Sequence, residues 1–226
     1  MTNQPATGHP SRGALALFIG LMVLVGLNLR PALSSLAPVL TRIQQDTGLS
    51  ALSIGALTTL PVLCLGLFAP MAPWLARRLG AERALAAGLG LLAAGLALRG
   101  LPAVPALFLG TLMVGAAIGI AGTLLPALVK RELPAGADLM TGVYTMALCL
   151  GGALGAGLSI PLSEWLGGWH LGLASWAALA LLALVAWLAL APHRDETALP
   201  GGGGSMRAVL GQPLAWQVML FMGLQS

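Results

Sequence analysis

Six stretches of this chain, roughly 13–40, 50–76, 84–101, 103–129, 139–162 and 169–191, are each apolar and long enough to cross ~30 Å of hydrocarbon. Nothing else in the sequence narrows the fold as much. A segment in lipid must satisfy its own backbone hydrogen bonds, so it is either a helix or a strand of a closed barrel. Barrel strands alternate apolar and polar residues in pieces of about 10, and these runs do not alternate. The expectation is an all-α polytopic membrane protein. Composition agrees: 8% of the 226 residues are charged, against roughly 25% in soluble domains. Hydrophobic residues make up 58%, and the mean hydropathy is +0.90.

The ends and loops organise these runs. Residues 1–12 are polar and precede an apolar run too long for a signal h-region, which reads as an uncleaved first helix. Residues 192–212 are polar and then glycine-rich, and 201–205 should behave as flexible coil. A seventh apolar run opens at 213 and reaches 226 before it can cross. Four parts are therefore expected: an N-terminal tail (1–12), a six-helix bundle (13–191), a linker (192–212) and the start of a seventh helix (213–226).

Lysine and arginine set the expected orientation. With the N-terminus inside, the inner segments hold Arg12, Arg77, Arg78, Arg83, Lys130, Arg131, Arg194 and Arg207, and the outer ones hold Arg42 and Arg99. The chain is thus read as multi-pass in the cell's inner (plasma) membrane, with its N-terminus in the cytoplasm. The sequence pI near 10 follows from this distribution. No basic face with interleaved aromatics points to nucleic acid. Arg99, near the end of the third run, is expected to snorkel to the outer interface. Trp74 and Trp187 near inner ends, and Trp165 and Trp169 near outer ones, read as an interfacial belt. Cys64 and Cys149 read as small packing residues.

An internal echo links the first and fourth runs. Ser35–Arg42 and Thr123–Lys130 share the form [ST]-L-x-P-x-L-x-[RK] at an offset of 88, which also sets Pro73 on Pro161 and Gly80 on Gly168. Arg42 falls outside and Lys130 inside, so the copies run in opposite directions. That is the pattern of a three-plus-three inverted repeat, which the major facilitator halves exemplify. A weaker echo, Gly26-Leu27-Asn28 against Gly223-Leu224-Gln225, suggests that the seventh run opens a second half. The chain is then expected to be the N-terminal part of a longer, two-bundle protein.

One cation breaks the apolar pattern. Arg30 lies inside the first run, directly before Pro31. A charge in a span costs at least ~2.5–3.5 kcal/mol on insertion scales, and proline removes a backbone donor and disfavours helix just before it. Arg30 and Ser34 are four apart, and Asn28 and Ser35 seven apart, so each pair can share a helix face. Pro31 leaves the Leu27 carbonyl without its usual donor. A planar guanidinium beside freed backbone suits a small planar anion or polar heterocycle. Snorkelling is the rival reading, since Arg30 sits ~8 Å beyond the middle of a 13–37 helix. Tyr144, the one tyrosine, reads either as cavity lining or as packing. Glycines 115, 119, 122, 151 and 155 have the small-xxx-small spacing of close helix contacts.

No carboxylate lies deep in a run. A proton-coupled process would titrate a group in the second half or a span-end acid such as Glu164. His170 reads as interfacial. No HExxH, GxSxG, P-loop or Cys/His cluster is present, so neither an enzyme, a cofactor nor a metal is expected.

Four strings, GLNLRPALSSLAPVL, ARRLGAER, TGVYTMALCLGGALGAGLSIPL and AWQVMLFMGLQS, resemble the major facilitator superfamily and, within it, the cyanate / 2-nitroimidazole porter family. The resemblance implies a secondary active transporter moving a small solute by alternating access. Asn28, Arg30, Ser34, Tyr144 and Gln225 would be its substrate-binding residues and Pro31 its helix break. It also implies an inner-loop gate at Arg77, Arg78, Gly80, Glu82 and Arg83. In the superfamily pattern G-x-x-x-D-R-x-G-R-R, an Asp there joins a charge relay. Arg77 stands in its place here, leaving Glu82 as the substitute carboxylate. A Gly-Pro pair typical of drug/proton antiporters is absent from the fifth run, where Pro161 stands apart from the glycines. The alternative class is a non-transporting membrane scaffold or sensor derived from a truncated half-transporter.

Overall fold

A computed structural model describes residues 12–134 and 136–190. The linker, the seventh run and Gln225 lie outside the described residues. Within them the chain is helical, without strands: α1 (Arg12–Leu29), α2 (Pro31–Ser34), a 3-10 turn (Ala37–Val39), α3 (Leu40–Thr47), α4 (Ala51–Phe68), α5 (Met71–Leu79), α6 (Ala81–Leu98), α7 (Val104–Glu132), α8 (Ala137–Trp165) and α9 (Trp169–Leu190). Six spans are long and apolar enough to cross a membrane.

The breaks fall where the chemistry puts them. The first span runs on through residue 47 as one interrupted rod, Leu15–Thr47. It is longer than the 13–40 expected because Arg30, Ser35 and Leu36 all stay in the right-handed helical region through the interruptions. It ends where Gly48 turns left-handed (φ 67°). The second run is not one helix. It divides at Ala69-Pro70 into α4 and α5, and Pro70, which has no N–H to donate, stands at the N-cap of α5. The side chain of Ser50 caps α4 by accepting from Ser53 N at 3.2 Å.

The helices pair as α6 on α7 and α9, α4 on α7, and α1 on α8. Of the six, α7 is the most enclosed and α4 the least. Leu85, Leu89 and Leu92 of α6 and Leu124, Leu125 and Leu128 of α7 lie in the main core. A second cluster, from Leu36, Ile43, Leu57, Leu107, Trp169 and Leu173, closes one end. Val62, Leu63 and Leu67 of α4 and Leu182, Val185 and Leu188 of α9 are exposed. Outward-facing apolar rows of this extent suit lipid rather than water.

Two of the expected belt tryptophans are buried in the bundle. Trp187 is buried and its indole N–H donates to the Glu82 carbonyl at 3.1 Å. Trp169 is buried and donates to Asp46 Oδ2 at 2.8 Å, with His170 edge-on to its ring. In both, a hydrogen-bond acceptor on a neighbouring element captured the indole N–H. Trp165 and Trp74 are exposed, and the Arg78 guanidinium lies over the Trp74 ring at 4.7 Å.

Candidate functional site

The break in the first span is where side-chain chemistry gathers. α1 ends at Leu29, Arg30 is the N-cap of α2, and Pro31 is its first residue. Arg30 is exposed and makes no side-chain hydrogen bond or ion pair among the described residues. With Leu33, Ser34, Leu148, Cys149 and Gly152 it lines an open groove of about 510 Å³ between the first span and α8. Ser34 Oγ lies 2.9 Å from the Gly152 carbonyl and 3.1 Å from that of Arg30. Its single proton serves one of them at a time.

α8 approaches this closely because it is glycine there. A Cβ on Gly151 would collide with the Leu27 carbonyl, and one on Gly155 would fall 2.6 Å from Pro31 Cα. The small-residue spacing in α8 is thus a contact seam, as expected. Gly115 and Gly119 of α7 likewise lie against Pro61, Cys64 and Leu65 of α4, whereas Gly122 meets nothing within 4 Å. The seam has a chemical consequence. The Leu27 carbonyl, freed by Pro31, is covered by Gly151 and does not face the groove. The groove offers a guanidinium, a hydroxyl and a thiol rather than bare backbone.

Two further expected binding residues, Asn28 and Tyr144, do not line the groove. Asn28 is buried and its amide donates to the Leu24 carbonyl at 2.9 Å, one turn back on its own helix. Tyr144 is buried in the main core, with its backbone close to Gly26. Arg30 and Ser34 share the groove; Asn28 and Tyr144 are not among the residues lining it.

The inner-loop residues surround the α5–α6 turn. Arg77, Arg78 and Arg83 are exposed, and Gly80 turns with φ 84°. Glu82 reaches across to Arg131 at the end of α7, and Arg131 also pairs with Glu132 at 2.9 Å. A carboxylate from position 82 thus joins the α5–α6 turn to the fourth span. On the opposite side Arg42 pairs with Glu164 at 2.6 Å, both largely exposed.

Two residues to which the sequence reading gave other roles stand close to this site. Cys149 is exposed and lines the groove, not packed as expected. Its position three residues before Gly152 on a glycine-rich face was the available signal. Arg99 does not snorkel: it is 0% exposed. Its Nη1 donates to the Ala32 carbonyl at 2.8 Å and its Nε to Thr111 Oγ1 at 3.2 Å. The link between α6 and α7 is only residues 99–103. So short a link folds α7 back on α6 and turns the arginine into the hairpin instead of toward the interface.

Comparison with known proteins agrees with this architecture. The Major Facilitator Superfamily model matches residues 14–226, and the chain belongs to that family of multi-pass membrane proteins. It is 38% identical over 221 residues to the uncharacterized transporter YycB of Bacillus subtilis (strain 168), covering 96% of this chain and 55% of that protein. It is 35% identical to the 2-nitroimidazole transporter of Escherichia coli (strain K12), over 98% of this chain and 56% of that one. To the cyanate transport protein CynX of the same strain it is 34% identical, over 90% of this chain and 53% of the relative. The chain spans about half the length of the curated relatives it matches. Among solved structures, the peptide transporter POT in complex with alafosfalin superposes on 99% of the chain and 48% of its own length. The TM-score is 0.68 at 19% identity, a likeness of fold.

Proposed function

We propose that this chain is the first bundle of a secondary active transporter that moves a small polar or anionic solute across the inner (plasma) membrane by alternating access. The observation that carries the proposal is the exposed, unpaired guanidinium of Arg30 beside Ser34, in a 510 Å³ groove at a helix break. Two relatives carry names that describe transport of cyanate and of 2-nitroimidazole. Both solutes are small; a planar nitro group can take two parallel hydrogen bonds from a guanidinium fork, and linear cyanate can accept one from it at either end. This favours transport over the scaffold or sensor alternative and over an enzymatic role.

In this reading residues 13–191 form one rocking bundle, a three-plus-three inverted repeat, and 192–212 link it to a second that begins at 213. The second bundle would complete the site, Gln225 included. The N-terminus is cytoplasmic by the positive-inside count. Protons are the candidate coupling ion, titrating a group in the second bundle or a span-end acid such as Glu164. The Glu82–Arg131 pair would steady the inner gate.

The test is Arg30→Lys in the full-length protein, assayed by uptake of labelled small anions and nitroimidazoles into proteoliposomes. Lysine keeps the charge and loses the planar fork. A charge-assisted hydrogen bond contributes on the order of 1.5–3 kcal/mol, so apparent affinity should fall by roughly tenfold or more. A well-expressed Arg30→Lys protein with unchanged kinetics removes Arg30 from the site. Orientation is tested separately with Gln44→Cys and Ala198→Cys, in a background lacking Cys64 and Cys149. An impermeant thiol reagent should label only the first in intact cells, and labelling of the second alone reverses the topology.

A further inference from the structure

Arg99 is the most deeply enclosed cation among the described residues, and no acid pairs with it. Among the described residues, ion pairs join Arg42 to Glu164, and Arg131 to Glu82 and Glu132. Arg99 is 0% exposed, and its Nη2 has no hydrogen-bond partner among the described residues. A guanidinium stays charged in a protein, and taking it out of water is unfavourable unless its hydrogen bonds compensate. An apolar side chain of the same volume would fill this space at least as well for packing alone. The buried charge therefore calls for a role that only its hydrogen bonds can perform.

Those bonds meet at the break. The stem of Arg99 lies along Gly110, where a Cβ would come within 3.0 Å of its Cγ. Its Nε bonds Thr111, whose own hydroxyl proton goes to the Leu107 carbonyl at 2.7 Å. Its Nη1 takes the carbonyl of Ala32, the residue directly after Pro31. Ala32 belongs to the four-residue α2, the segment that carries Leu33 and Ser34 into the groove. α2 is also held by α8, through Ser34 and Gly152. The short helix is thus gripped from two directions, and Arg99 is the grip from the α6–α7 hairpin.

We propose that Arg99 is a positioning residue for the solute site: by holding the Ala32 carbonyl it fixes the break so that Arg30 and Ser34 face the groove. The proposal rests on the reading of that groove as the solute site. Cys149 provides a readout independent of transport, because it lines the same groove as Arg30. In full-length protein with Cys149 as its one reactive cysteine, the rates of modification by an anionic and a cationic methanethiosulfonate are compared. A positive groove favours the anionic reagent.

Arg30→Gln should lower the anionic-to-cationic ratio by about threefold or more. Arg99→Met should lower it similarly although Arg30 is still present, because the break is released. Arg99→Lys, which can reach one acceptor but lacks the fork, and Thr111→Val should give intermediate ratios. A residue that merely stabilised the bundle would change yield or melting and leave the ratio at its native value. If Arg99→Met does not fold, the two gentler variants decide, and native ratios in both overturn the positioning role. If the Arg30→Gln ratio falls while every Arg99 variant keeps the native one, only this inference fails. A ratio indifferent to Arg30→Gln overturns the groove reading itself, and this inference with it.

Discussion

Arg30 and Arg99 both adjoin one short helix and meet opposite environments. Among the described residues, Arg30 faces an open groove with no partner, while Arg99 is buried with two acceptors and no counter-charge. Hydropathy along the chain would rank them the other way: Arg30 sits well inside its span and Arg99 near the end of its own. Depth in sequence does not determine exposure in a bundle. What determines it is which way the residue is rotated and whether a neighbour stands on that side. Arg99 meets the α7 wall because the link after it is short and because Gly95 and Gly110 let the backbones touch. Arg30 meets only the glycine face of α8.

The sharpest way to break this comparison is to thicken the two walls. A Cβ on Gly110 would fall 2.6 Å from the Gly95 carbonyl and 3.2 Å from Arg99 N, both backbone atoms that cannot swing away. Gly110→Ala should destabilise the bundle by about 1–3 kcal/mol, seen as a lower thermal midpoint in detergent. Gly152→Ala, whose Cβ would meet only Arg30 Cβ at 3.6 Å, should leave the midpoint close to native. Equal effects would mean that the Arg99 region is no more tightly packed than the groove.

Ser34→Ala comes next. It removes the hydroxyl that ties α2 to Gly152, a loss of about 0.5–1.5 kcal/mol. It should also broaden the response of Cys149 to thiol reagents, since the groove wall is less firmly held. A midpoint unchanged from native would show that α8 does not hold the break. The smallest effect belongs to the exposed outer pair. Arg42→Ala should shift stability by no more than about 0.2–1 kcal/mol, less in high salt. A larger shift would mean that the end of the bundle, and not the break, controls how α2 sits.

Much of this molecule was legible before any fold was known. Six spans, their order and the weak point at Pro31 follow from residue type, because a run of apolar residues in lipid has helix as its open-chain solution. The glycine seam on α8 was also legible, since spacing is a property of the chain itself. The family resemblance rested on the same strings.

Only the tertiary structure decided which polar groups face the groove. Asn28 and Tyr144 turned inward, where Asn28 found its own helix carbonyl, while Cys149 turned out. Trp169 and Trp187 found acceptors on distant elements, and Arg99 found Ala32 across 67 positions of sequence. The physical reason is the same in each case. A helix in an apolar bundle presents every side chain to some surface, and hydropathy is nearly uniform around it. Rotation is then set by where neighbours can approach closely and where a buried donor can find an acceptor, and both depend on which helices meet.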